Sequence, residues 1–151
     1  MIEKEINILM VEEDPKEVDC LKEALAVGQF TTVNLQQVED GEQALAYLRH
    51  EHPYLEVPRP DLIFLDLNLP GMSGRELLEE MKQDEPLTSL PVVVLTTSAQ
   101  DRDLVKTYSL DKNCYFFRKP VSSDQWLFVL HCIEDVWLTF VKFPPESDRS
   151  V

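Results

Sequence analysis

Leu62-Ile63-Phe64-Leu65-Asp66-Leu67-Asn68-Leu69-Pro70-Gly71-Met72-Ser73-Gly74 is the stretch on which the fold turns. Its first four residues are bulky and apolar, too few for a helix, and predict a strand buried on both faces. Pro70, Gly71 and Gly74 break the chain before a helical pattern begins at Arg75. Asp66 therefore stands at the C-terminal end of a buried strand, where open α/β sheets keep their chemistry. That placement makes this carboxylate the residue to explain.

The same alternation extends in both directions. Upstream, Ile6 to Val11 predicts a strand, followed by Glu12-Glu13-Asp14-Pro15. Asp14 as N-cap and Pro15 at the first helical position start a helix. It carries Val18, Leu21, Ala24 and Leu25 and stops at Gly28. Thr32 to Val38 reads as a second strand, and Asp40-Gly41 opens a helix with Ala44, Leu45 and Leu48. Glu51 to Pro60 holds three prolines and no periodicity, so it is a surface loop.

Downstream of Asp66 come a helix with Leu77, Leu78 and Met81 and a fourth strand from Pro91 to Leu95. A weaker helix from about Gln100 to Leu110 precedes a fifth strand, Cys114 to Phe117, and a last helix from about Ser123 to Val141. Five strand–helix alternations call for an α/β fold: a five-stranded parallel sheet, doubly wound, with right-handed crossovers. Residues 1–143 form one domain, and 144–151 form a polar C-terminal tail.

Composition narrows the function classes. A chain of 151 residues with 44% hydrophobic content fits one domain with a sizeable core. The formal net charge of −14, from 28 acidic and 14 basic residues, repels nucleic acid and anionic membranes, and no Lys/Arg cluster offsets it. No apolar run reaches membrane-spanning length, and the N-terminus lacks the pattern of a signal peptide. Cys20, Cys114 and Cys132 have no metal-type spacing and read as reduced thiols in a cytoplasmic protein. His50 and His52 belong to the surface loop rather than to a metal site.

Polar residues close the strands: Glu12 and Glu13, Asp66, Thr96 and Thr97, and Lys119 just beyond the fifth. A doubly wound sheet gathers these ends on one edge. Clustered carboxylates repel, so they raise one another's pKa or bind a cation. Hard oxygen ligands suit Mg²⁺, which takes one or two carboxylates together with phosphate oxygens. A lysine and a threonine supply positive charge and a hydroxyl donor for an anion. The combination describes a site for a phosphoryl group, with Asp66 as nucleophile.

Over roughly residues 6 to 141 the sequence closely resembles the response-regulator receiver family of two-component signalling. The resemblance rests on the acidic pair after the first strand, Leu65 to Gly71 with Gly74, Leu95-Thr96-Thr97, and Lys119-Pro120. Pro91 to Ser98, Asn113-Cys114-Tyr115, and Val136-Trp137-Leu138 ahead of Pro144-Pro145 look further like the phytochrome-associated single-domain regulators. The resemblance implies a flavodoxin-like receiver fold with an extended C-terminal helix. It makes Asp66 the phosphoacceptor, taking phosphate from a histidine kinase, with a phytochrome as the candidate kinase. Glu12, Glu13, Asp66 and the backbone carbonyl of Asn68 would hold Mg²⁺. Lys119 would pair with Asp66 or its phosphoryl group, Thr96 would hydrogen-bond that group, and Thr97 would offer its backbone N–H. Phe116 occupies the aromatic switch position. The family nearly always has aspartate where this chain has Glu13; phosphorylation is expected to survive this change, with Mg²⁺ affinity and dephosphorylation rate the properties open to alteration. No independent substrate turnover is expected of such a switch.

The last helix is apolar beyond a single stripe: Trp126, Leu127, Phe128, Val129, Leu130, Cys132, Ile133, Val136, Trp137, Leu138, Phe140 and Val141. One stripe packs on the sheet, and the other predicts a partner surface. A homodimer is expected through the fourth helix, fifth strand and fifth helix, extended by Phe143-Pro144-Pro145. Two other functions compete. A haloacid-dehalogenase-type phosphatase needs a second aspartate two residues after the nucleophile, where this chain has Asn68. A pseudo-receiver would be an interaction module whose phosphorylation Glu13 has impaired.

Overall fold

The structure, a computed structural model, describes residues 6–28, 33–97, 114–119 and 122–136, without the side chains of 114–117 and 132–136. Five strands form one parallel sheet in the order β2-β1-β3-β4-β5: β1 (Ile6–Val11), β2 (Val33–Val38), β3 (Leu62–Asp66), β4 (Val92–Thr96) and β5 (Cys114–Arg118). Four helices are described: α1 (Pro15–Val27), α2 (Gly41–Leu48), α3 (Gly74–Gln83) and α4 (Ser123–Val136). The helix expected from about Gln100 to Leu110 and the extension beyond Val136 lie outside the described residues. None of the helices described is long and apolar enough to cross a membrane.

Alternation along the strands divides the core into two layers. Leu9, Val11, Ile63, Leu65, Val92 and Val94 pack beneath α2 and α3 with Leu45, Leu48, Leu77, Leu78 and Met81. Ile8, Met10, Leu62, Phe64, Val93 and Leu95 pack beneath α1 and α4 with Val18, Leu21, Ala24, Trp126, Val129 and Leu130. Helices on both faces are the reason the central strands read as unbroken apolar runs. Trp126 anchors the second layer, meeting Phe64 edge-on at a centroid distance of 5.0 Å. Such a contact contributes about 0.5–1.5 kcal/mol beyond the area it buries.

Each helix start has a local chemical cause. The Asp14 side chain accepts the Lys16 N–H at 2.9 Å and caps α1, as its Asp-Pro sequence predicts. Asp40 caps α2 by accepting the Gln43 N–H at 2.7 Å. Helix α3 begins one residue before the expected Arg75, because Ser73 accepts the Glu76 N–H at 3.2 Å. Ser73 and Glu76 have the capping-box spacing, and the Ser73 hydroxyl also donates to Glu76 Oε1 at 3.4 Å.

The loop between α2 and β3 is a surface loop, as expected, but an anchored one. Tyr54 packs on Tyr47 at 5.3 Å, and a His50 ring nitrogen meets the Val57 carbonyl at 2.9 Å.

The turn after β3 holds Asp66 in place. Gly71 adopts φ +66°, a conformation glycine takes without strain. The Gly74 N–H donates to the Leu67 carbonyl at 3.2 Å, and a Cβ at Gly74 would lie 2.7 Å from the Leu67 Cα. Only glycine lets α3 start this close beneath the residue that follows Asp66.

Candidate functional site

The strand order reverses between β1 and β3, since β1 leads out to β2 on one side and β3 to β4 on the other. Ligands of doubly wound sheets bind in the crevice that opens at such a point. β1 and β3 pair in register from Ile8 with Leu62 to Val11 with Leu65. Carried one residue on, that register sets Glu12 beside Asp66. Both continue the even-numbered alternation of Ile8, Met10, Leu62 and Phe64, so both lie over the face covered by α1 and α4.

Glu12 is 2% exposed, Asp66 5% and Thr96 1%, an unusual burial for polar groups at strand ends. Lys119 joins them from the end of β5, with its side chain 9% exposed. Its backbone N–H donates to the Thr96 carbonyl at 2.7 Å, which ties the ends of β4 and β5 together. Its ammonium donates to Glu12 Oε1 at 2.5 Å and lies 3.3 Å from Asp66 Oδ2. The remaining oxygens are also engaged: Glu12 Oε2 accepts the Asp14 N–H at 3.2 Å, and Asp66 Oδ1 accepts the Asn68 N–H at 3.0 Å.

Two buried carboxylates thus share one ammonium. Burial pushes the Glu12 carboxyl above its ordinary value; the Lys119 hydrogen bond opposes the shift, and the neighbouring Asp66 adds to it. Burial would lower the Lys119 ammonium, but its bond to Glu12 and the charges of Asp66, Glu12 and Glu17 outweigh it and hold the lysine above its ordinary value. The lysine is therefore a fixed cation at neutral pH, and the site carries a formal net charge of −1. Such a site has room in its charge balance for a further cation, and its donors are all oxygens.

The structure brings together the side chains of Glu12, Asp66 and Lys119, with Thr96 tied to Lys119 through its backbone carbonyl, and leaves Glu13, Thr97 and the Asn68 side chain outside the cluster. Glu13 is exposed, one step out of phase with Glu12, and it is Glu12 that reaches Lys119. Among the described residues, no three His, Cys, Asp or Glu side chains are grouped to hold a metal. Thr97 is exposed and Asn68 lies on the rim, its backbone fixed by Asp66. Phe116 pairs with Val94 through its backbone in β5, but its side chain lies outside the described residues. Glu17, in the first turn of α1, was not anticipated: its charge and that of Lys119 act on each other.

Residues 8–130 match the family of the response regulator receiver domain. Response regulator Rcp1 of Synechocystis sp. is 39% identical over 137 residues, covering 91% of this chain and 92% of Rcp1. The phosphorylated cyanobacterial phytochrome response regulator RcpA is similar in structure, with a TM-score of 0.76 and 40% identity over 89% of this chain and 95% of RcpA. The Mn²⁺-bound form of Rcp1 has a TM-score of 0.73 at 38% identity, over 90% of this chain and 96% of that one.

Proposed function

The chain belongs to the response regulator receiver domain family, and from this we propose that Asp66 is the phosphoacceptor of a phosphorylation-dependent signalling switch. The observation that carries the assignment is Lys119, whose ammonium bridges buried Glu12 and Asp66 at the C-terminal edge of the sheet. Asp66 Oδ2 attacks the phosphorus of a histidine kinase's phosphohistidine; the new P–O bond forms as the P–N bond breaks. Lys119 then exchanges part of its contact with the carboxylates for a phosphoryl oxygen, and Thr96 offers its hydroxyl to another. Likeness to RcpA supports a phytochrome as the kinase.

A divalent cation belongs to this reading. The oxygen-only donor set and the surplus negative charge fit Mg²⁺, and the Mn²⁺-bound form of Rcp1 supports a divalent ion in such a site. Glu12, Asp66 and the Asn68 backbone carbonyl would hold it directly, with exposed Glu13 acting through water. The ion supplies positive charge that offsets the oxygens of the incoming phosphoryl group.

Phosphate then acts as a ligand that shifts a two-state population. Thr96, drawn towards the phosphoryl group, and the Phe116 ring would couple Asp66 to the face of β5 and α4. That face is where we place a homodimer of this cytoplasmic protein. Trp126, Val129 and Leu130 are buried on one side of α4, whereas Phe128 on the other is 67% exposed. Sedimentation at micromolar concentration is expected to show a dimer; a monomer with and without beryllofluoride overturns that part.

Incubation with acetyl phosphate and Mg²⁺, followed by peptide mass analysis, tests the phosphoacceptor. One phosphoryl group on Asp66 is the expected result. Turnover of phosphomonoesters would make the chain a phosphatase, and no labelling would make it a pseudo-receiver. The family match and the absence of a second aspartate at Asn68 favour neither.

A further inference from the structure

Glu17 lies on the inner stripe of α1, four residues before Leu21 and seven before Ala24, both buried. That stripe covers the sheet face to which Glu12 and Asp66 belong. Helix α1 starts at Pro15, soon after β1 ends at Val11, so its first turn, with Glu17, follows directly on the end of that strand. The cap fixes this turn: the Glu17 N–H donates to the Asp14 carbonyl at 3.1 Å. The N-terminus of α4 is tied to the same helix, since the Ser123 hydroxyl donates to Glu23 Oε2 at 3.0 Å.

Glu17 Oε2 is buried and has no hydrogen-bond partner among the described residues. Buried carboxylate oxygens are nearly always satisfied, so one left open requires an account. Burial pushes the carboxyl up, the charge of Lys119 opposes the shift, and Glu12 and Asp14 add to it. The ammonium has three N–H donors; one goes to Glu12, and Asp66 lies 3.3 Å away as an ion-pair partner.

We propose that Glu17 is a positioning residue for Lys119: its open Oε2 receives the ammonium when a cation draws Glu12 away, and so keeps the lysine beside Asp66. The role of the cation rests on the receiver reading of the site; the pairing of Glu17 with Lys119 does not. A divalent ion and an ammonium cannot share the Glu12 carboxylate without repelling each other. Lys119 must loosen from Glu12 as the ion enters, yet it must stay near Asp66 to meet a phosphoryl oxygen. A buried acceptor on the neighbouring helix turn meets both needs, and a solvent-facing carboxylate would meet neither.

The test uses the full chain with ¹⁵N-labelled lysine and reads hydrogen exchange of the Lys119 ammonium by NMR. Glu12→Gln withdraws the first anchor without any metal. In that variant exchange is expected to stay within about two-fold of wild type, and in Glu12→Gln/Glu17→Gln to rise about ten-fold, the loss of one charge-assisted hydrogen bond. Exchange as fast in Glu12→Gln as in the double variant overturns the proposal. Glu17→Gln alone is expected to weaken Mg²⁺ binding about ten-fold, the usual effect of removing a group that orients a site from behind, with Glu17→Asp recovering part of it. Unchanged Mg²⁺ affinity in Glu17→Gln also overturns it. A wild type that binds no Mg²⁺ counts instead against the receiver reading of the site, and the metal-free exchange rates still decide the pairing.

Discussion

Asp66→Asn is expected to abolish phosphorylation from acetyl phosphate completely and at the same time to make the protein more stable. The first effect follows from the nucleophile: an amide oxygen does not form the acyl phosphate, and no second carboxylate occupies its place, because Glu12 already binds Lys119. The second follows from charge. Asp66 is 5% exposed and shares a single ammonium with Glu12, which lies closer to it than Asp66 does, 2.5 Å against 3.3 Å. Neutralising Asp66 removes a buried anion and its repulsion of Glu12, and leaves the shorter ion pair intact. The amide oxygen can still accept the Asn68 N–H that Asp66 Oδ1 accepts now. Removing one of two like charges from a buried group while the other stays paired relieves their repulsion, and the gain expected here is about 1 kcal/mol. Urea unfolding beside phosphoryl labelling checks both halves. A variant that loses labelling and stability together would show that Asp66 is held by its contacts rather than strained among them. The gain expected on removing it is the signature of a site whose function is maintained against stability.

Most of the architecture was legible because it is written in periodicity. The apolar runs, the Asp14-Pro15 and Asp40-Gly41 starts and the Gly28 stop all recur in the structure where local chemistry demands them. The start of α3 at Gly74 was hidden by two glycines that read as chain breakers, although Ser73 and Glu76 have the capping-box spacing in plain sight. The choice between Glu12 and Glu13 was hidden for a deeper reason. A strand buried on both faces shows no alternation, so nothing in the run Ile6 to Val11 says which acidic residue continues which face. Pairing with β3 supplies that information, because Glu12 and Asp66 fall in the same phase only once the register is known. Glu17 escaped for the converse reason. A carboxylate on a helix reads as solvent-facing, and only the positions of Leu21 and Ala24 reveal that it extends the buried stripe.

The same charge balance predicts the largest loss of stability from a single side chain at the site. Lys119→Met keeps the length and apolar stem of the lysine and removes the ammonium that, among the described residues, contacts both Glu12 and Asp66. Two buried anions are then left against each other, and breaking a buried pair from one side costs about 3–5 kcal/mol. The deficit has a pH signature. Burial raises the Glu12 carboxyl and Asp66 adds to the shift, while Lys119 opposes it; without the lysine the opposition disappears and Glu12 rises further. A carboxyl raised in the folded state binds more protons there than in the unfolded chain, over the window between its ordinary value of 4.5 and its folded value. Stability therefore falls as pH rises through that window and returns on acidification. Urea unfolding of wild type and variant at about pH 7.5 and about pH 5.5 is expected to show the deficit shrinking at the lower pH. A deficit equal at both would place its origin in lost packing of the lysine stem. Adding Asp66→Asn to Lys119→Met removes one of the two stranded anions, so the pair is expected to be more stable than Lys119→Met alone, a non-additivity that only groups in one charge network display.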